Sequence, residues 1–177
     1  MAIQLPFILL IANLLLFFSS IISSETDTLT QFQSLSDGTT LVSQEGTFEF
    51  GFFSPGSSTN HYLGIWFKNI PVKTIVWVAN RDNPIKTSTN TNTTTKLAIT
   101  KDGNLVLLTA NDTVHWSTNT TAKSFNAVAQ LLDTGNLVLR DEKDNNSQNY
   151  LWQSFDYPTD TLLPGMKIGW EVTTGLN

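Results

Sequence analysis

Gly103-Asn104-Leu105-Val106-Leu107 and Gly135-Asn136-Leu137-Val138-Leu139 spell the same five letters twice in one short chain. Each run follows a turn pair, Asp102-Gly103 or Thr134-Gly135, and each is followed by a tryptophan. The tryptophan segments also echo one another: Val76-Trp77-Val78-Ala79-Asn80, His115-Trp116-Ser117-Thr118-Asn119 and, more loosely, Leu151-Trp152-Gln153-Ser154-Phe155. Tyr62-Leu63-Gly64-Ile65-Trp66 stands in the corresponding place before the first of them. The chain thus contains three units, roughly 45–82, 95–121 and 126–156. A unit this small cannot bury its own apolar face. Three around a common axis can, with Trp77, Trp116 and Trp152 turned inward as core.

Outward from these repeats the chain reads as short strands. Phe48, Phe50 and Phe52 alternate with Glu49 and Gly51, a period of two. Further short apolar runs cover 62–67, 74–79, 97–99, 105–108, 114–116, 128–132, 137–139 and 150–152. Ser54-Pro55-Gly56 and Asn83-Pro84 punctuate them, and the polar stretch 87–95 reads as an exposed loop. Past the N-terminal two dozen residues, no segment carries a long helical period. The expectation is an all-β domain: a sandwich, barrel or prism.

Composition agrees. The 25 Thr and 16 Asn favour strands and turns. The absence of Cys excludes a disulfide framework and a Cys-ligated zinc site. A net charge of −5 argues against nucleic acid, which selects a basic stripe. Residues 7–18 form an apolar run broken only by Asn13, and small residues up to Ser24 follow it. That pattern predicts a signal peptide over 1–24, hence a secreted or extracellular protein with no membrane span in the mature chain; the rival reading is an uncleaved membrane anchor, since Leu5 to Ile22 approaches a spanning length. Behind it lie four glycosylation sequons, at Asn92, Asn111, Asn119 and Asn145.

Catalysis finds little support. The two histidines, His61 and His115, stand in dissimilar settings without metal-ligand spacing. There is no Cys nucleophile, and Pro158 between Asp156 and Asp160 prevents a helix that would stack the two carboxylates. Neither a cofactor nor a metal is expected.

The repeated Gly-Asn-Leu-Val and the run Thr74-Ile75-Val76-Trp77-Val78-Ala79-Asn80-Arg81-Asp82-Asn83-Pro84 carry a family resemblance. So do Phe50-Gly51-Phe52-Phe53-Ser54-Pro55-Gly56 and Leu151-Trp152-Gln153-Ser154-Phe155-Asp156-Tyr157-Pro158-Thr159-Asp160. The chain resembles the bulb-type (G-type) mannose-binding lectin domain, as found in the ectodomains of plant S-locus glycoproteins and S-receptor-like serine/threonine kinases. The resemblance implies a β-prism of three antiparallel sheets about a pseudo-threefold axis. It implies a lectin domain over 25–156, with 157–177 the start of a truncated S-locus-type segment. No kinase activity carries over, because the chain has no nucleotide-binding or catalytic-loop motif.

The resemblance also implies where sugar would bind. Active bulb-type sites follow Gln-x-Asp-x-Asn-x-Val-x-Tyr along a strand, with alternate side chains on one sheet face. The second unit offers Thr100, Asp102, Asn104, Val106 and Leu108, keeping the central three. The third offers Leu132, Thr134, Asn136, Val138 and Arg140, keeping only Asn and Val. The first offers Ser58, Asn60, Tyr62, Gly64 and Trp66, keeping none. The candidate carbohydrate-binding residues are therefore Asp102, Asn104, Val106, Asn136 and Val138. Asp-Gly-Asn is also a turn sequence whose side chains can bond the local backbone. The expected partner is a mannose-type glycan or glycoprotein, bound weakly or not at all. The alternative is a protein ligand or receptor partner recognised without sugar.

Overall fold

A computed structural model describes residues 25–86, 95–109, 111–121 and 123–167. Residues 1–24, with the expected signal peptide, and the Asn92 sequon lie outside them. Three short strands come first: β1 (Thr28–Thr30), β2 (Ser34–Ser36) and β3 (Thr40–Val42). The first repeat follows as β4 (Phe48–Phe53), β5 (Asn60–Phe67) and β6 (Ile75–Val78), then the two-residue β7 (Ile85–Lys86). The second repeat is β8 (Thr95–Ile99), β9 (Leu105–Thr109) and β10 (Val114–Ser117). The third is β11 (Ala127–Leu131), β12 (Leu137–Asp141) and β13 (Trp152–Gln153). Among the described residues the helical ones are two 3₁₀ turns, Ser147–Asn149 and Ser154–Asp156.

These strands form three antiparallel sheets, ordered β1-β11-β12-β13, β2-β8-β9-β10 and β3-β4-β5-β6, with β7 pairing the start of β5. Each repeat supplies three strands, and the N-terminal segment lends one edge strand to each sheet in turn. The sequence reading did not find these three strands. Each places one leucine in the common core: Leu29, Leu35 and Leu41, all at or below 4% exposure. Leu29 and Leu35 stand between Thr or Ser residues and Leu41 between Thr40 and Val42, so each three-residue strand shows almost no period.

The pseudo-threefold is visible in the register. Ile65 faces Trp77, Leu107 faces Trp116, and Leu139 faces Trp152. The three indoles meet edge to face, with ring centroids 5.9, 5.7 and 5.6 Å apart and interplanar angles of 75°, 63° and 77°. This T-shaped arrangement sets positive ring edges against negative faces. The inward side chains of the middle strands, Leu63 and Ile65, Leu105 and Leu107, Leu137 and Leu139, are fully buried around it. The alternation read from sequence thus places one face of every sheet on the axis and the other outward.

Residues 157–167 pack back onto the prism. The Trp77 indole donates to the Tyr157 carbonyl at 2.8 Å, and Val78 N donates to Thr159 Oγ1 at 2.9 Å. Thr161 N donates to the Val76 carbonyl at 3.1 Å, and Met166 joins the core.

Candidate functional site

The sugar-site pattern falls on the outward faces of the middle strands β5, β9 and β12. The turn before β9 has Gly103 at φ +83°, and the turn before β12 has Gly135 at +82°. Both close with the same bonds. Thr100 N donates to the Asn104 carbonyl and Gly103 N to the Thr100 carbonyl. Leu132 N donates to the Asn136 carbonyl and Gly135 N to the Leu132 carbonyl. Positive φ suits glycine, and a side chain at 135 would also meet Leu163 and Phe48 below 3 Å.

On the second sheet Asp102 is exposed at its turn. Asn104, half-buried, points its amide back into the protein. Its Oδ1 accepts from Thr118 Oγ1 at 3.0 Å and from Thr120 N at 2.8 Å, while Nδ2 faces the Thr120 carbonyl at 3.4 Å. Thr118 Oγ1 in turn accepts from Leu105 N at 3.1 Å. Val106 is 6% exposed and Leu108 is half-buried.

The third sheet repeats this network more tightly. Asn136, only 5% exposed, accepts at Oδ1 from Ser154 Oγ at 3.1 Å and from Phe155 N at 3.2 Å. Its Nδ2 donates to Gln153 Oε1 at 2.9 Å. Ser154 Oγ accepts from Leu137 N at 2.9 Å. Val138 has no exposed surface. Arg140 donates from Nε to Gln130 Oε1 at 3.1 Å, and Gln130 Nε2 donates to Asp27 at 2.8 Å. In the first unit Asn80 does the same scaffolding work: Oδ1 accepts from Leu63 N at 2.8 Å and Nδ2 donates to the His61 carbonyl at 3.1 Å. In all three units, then, an amide beside the Trp strand ties a middle strand to its neighbour. The Trp-adjacent Asn80, Thr118 and Ser154 belong to this scaffold, a role the sugar pattern alone does not suggest.

The first sheet's outer face has different chemistry. Trp66 stands at the Tyr position of the pattern. Its indole donates to Glu49 Oε2 at 2.9 Å, and Lys73 Nζ caps the ring at 3.7 Å. Phe53 stacks on Tyr62 with centroids 5.6 Å apart. With Pro55, Val72 and Ile75 they line a groove of about 530 Å³, with Lys73, Arg81 and Asp160 at its edge. Gly64 stands where the other repeats have valine. A Cβ there would lie 2.5 Å from the Trp77 carbonyl oxygen, so this face has no room for that valine.

Two carboxylates beside the third sheet are held below the ordinary carboxylate range. For Asp141 the Ser124 hydroxyl, 2.7 Å away, is the main cause, followed by the Lys143 backbone N–H at 3.0 Å. For Asp144 the main cause is the Asn146 backbone N–H, followed by the Asn149 side-chain amide.

His61 is packed and tied. It stacks on Phe52, its Nδ1 lies 3.1 Å from Ser54 Oγ, and its Nε2 lies 3.7 Å from exposed Asp37. The serine, histidine and aspartate fall in line, but the long outer contact offers no firm orienting bond to the ring. His115 is half-buried, with Nδ1 buried and unpartnered among the described residues. Among those residues no group of three His, Cys, Asp or Glu is placed to hold a metal ion. No helix described is long and apolar enough to cross a membrane.

The D-mannose binding lectin family model matches residues 74–177. The receptor-like serine/threonine-protein kinase SD1-8 of Arabidopsis thaliana is 49% identical over 93% of this chain, which spans 19% of that protein. The S-locus-specific glycoprotein S6 of Brassica oleracea is 47% identical over 96% of this chain, which spans 38% of it. Among solved structures, a monomeric monocot mannose-binding lectin from Gastrodia elata superposes with a TM-score of 0.50 at 26% identity, covering 73% of this chain and 96% of that one. A Marasmius oreades lectin shares the fold, with a TM-score of 0.51 at 18% identity over 74% of this chain and 92% of its own. The kinase domains of such relatives lie outside the region matched, and what this chain holds is a non-enzymatic lectin domain. With three antiparallel sheets, a repeated Trp core and the matching family model, the chain belongs to the D-mannose binding lectin family.

Proposed function

We propose that this is the extracellular recognition domain of a receptor-like protein, with mannose binding weakened or lost. One observation carries the reading. The two asparagines that the sugar pattern offers, Asn104 and Asn136, both spend their amides on the protein's own backbone and side chains. A sugar hydroxyl would have to displace bonds that hold the prism together, at a cost of about 1–3 kcal/mol for each buried group left unpaired. The third face is further closed by Arg140 and Gln130 beside the buried Val138. The second face keeps Asp102 exposed and is the remaining candidate for weak contact.

A glycan array on the purified domain tests this. Mannose-type glycans are expected to bind no tighter than about millimolar, and Asp102→Ala to remove what binding there is. Micromolar mannose binding that survives Asp102→Ala overturns the reading.

A second reading, recognition of a protein partner, is favoured by the first sheet. Its Phe53–Tyr62 groove is largely apolar, with Lys73, Arg81 and Asp160 at its edge. Aromatic, partly exposed surface of this kind is what protein interfaces use as anchors.

A further inference from the structure

The Trp end of the prism opens into a cavity of about 630 Å³, which meets the first sheet's groove at Val78 and Arg81. Its lining includes the Trp77, Trp116 and Trp152 indoles. Tyr157 forms part of the wall, 53% exposed and stacked on Trp152 with centroids 5.7 Å apart and the rings 12° from parallel. Arg81, Asp82 and Thr118 add polar groups. The volume lies within the range of about 300–1,000 Å³ typical of small-ligand sites.

Asn119 is itself part of that wall. It is exposed, and its side-chain amide has no partner among the described residues, unlike Asn80, Asn104 and Asn136. It begins the sequon Asn119-Thr120-Thr121. Its φ of +49° is a conformation that asparagine tolerates better than most residues.

We propose that an N-linked glycan on Asn119 seats its first N-acetylglucosamine in this cavity, as a structural part of the domain. The inference rests on the extracellular reading above, since the modification needs the secretory pathway. In the transfer, a bond forms between Asn119 Nδ2 and the anomeric carbon of a lipid-linked oligosaccharide diphosphate. The bond from that carbon to the phosphate oxygen breaks, the lipid diphosphate departs, and one amide proton is released. The sugar's apolar face then packs on Tyr157, the exposed aromatic of the wall, and its hydroxyls meet the polar groups beside it. Asn111 and Asn145 do not line this cavity, so a glycan on either would not fill it.

The test expresses the full chain in a plant secretion system and maps each sequon by glycopeptide mass spectrometry. Thr121→Ala removes the sequon while leaving Asn119 in place. It is expected to lower the melting temperature by about 2–4 °C and to change tryptophan emission. Trimming the wild-type glycans enzymatically to one N-acetylglucosamine is expected to preserve both signals, because only the first sugar reaches the cavity. Tyr157→Ala is expected to shrink the difference that Thr121→Ala makes, as a double-mutant cycle reports for groups in contact. An unmodified Asn119 alongside a modified Asn111 or Asn145 overturns this inference alone, whereas no modification at any sequon overturns the extracellular reading with it. A glycosylated Asn119 whose loss moves neither melting temperature nor emission also overturns it.

Discussion

Replacing Asn136 by alanine probes whether the sugar-pattern asparagines are scaffold. The side chain makes three bonds at a site 5% exposed: from Ser154 Oγ, from Phe155 N and to Gln153 Oε1. A neutral bond contributes about 0.5–1.5 kcal/mol net, and a buried donor left unpaired costs about 1–3 kcal/mol. Ser154 Oγ can turn to another acceptor, but the Phe155 N–H cannot. Asn136→Ala should therefore cost about 2–4 kcal/mol. Asn104 makes the equivalent bonds to Thr118 and Thr120 but is half-buried, so water can replace part of what is lost. Asn104→Ala should cost about 1 kcal/mol. Urea denaturation of the purified variants measures both, with an unchanged slope showing that the unfolded state is unaffected. A cost below about 0.5 kcal/mol for Asn136→Ala, or an inverted order between the two, would refute the scaffold argument. The comparison also bears on binding assays, because sugar affinity lost in Asn136→Ala would report a loosened fold as readily as a lost contact.

Gly64→Val puts back the valine that the other two repeats carry, yet it should destabilise by about 3 kcal/mol or more and gain no mannose binding. The added Cβ would meet the Trp77 carbonyl oxygen at 2.5 Å, and a soluble variant with an unchanged urea midpoint would contradict this. The depressed Asp141 carboxyl gives a pH prediction. A group whose folded pKa lies below its unfolded value adds stability above the unfolded pKa and loses it as pH falls through the folded one. Stability should thus decline below the ordinary carboxylate value of 3.8. Ser124→Ala, which removes the main cause of the shift, should make that decline shallower in denaturation curves taken at stepped pH. An unchanged slope would assign the acid sensitivity to other carboxylates.

Much of this architecture was legible before any coordinates. The duplicated Gly-Asn-Leu-Val-Leu and the three Trp segments mark the repeats, because a small unit must share its core and so repeats its inward residues. Alternation at Phe48, Phe50 and Phe52 sets the inner face of β4, because a strand turns every second side chain the same way. The edge strands around Leu29, Leu35 and Leu41 were not legible. One buried leucine in a three-residue strand carries no period, and its pairing partner lies in a different repeat each time.

The candidate site divides along the same line. Sequence determined which residue types occupy the sugar-pattern positions, and hence that the second unit keeps more of the pattern than the other two. Only the tertiary structure decided where those amides point. Asn104 and Asn136 turn toward Thr118 and Ser154, residues 14 and 18 positions away in the chain, because the backbone N–H groups of Thr120 and Phe155, just past the adjoining strands, need acceptors. That demand arises when sheets close around the Trp axis, and no local pattern records it.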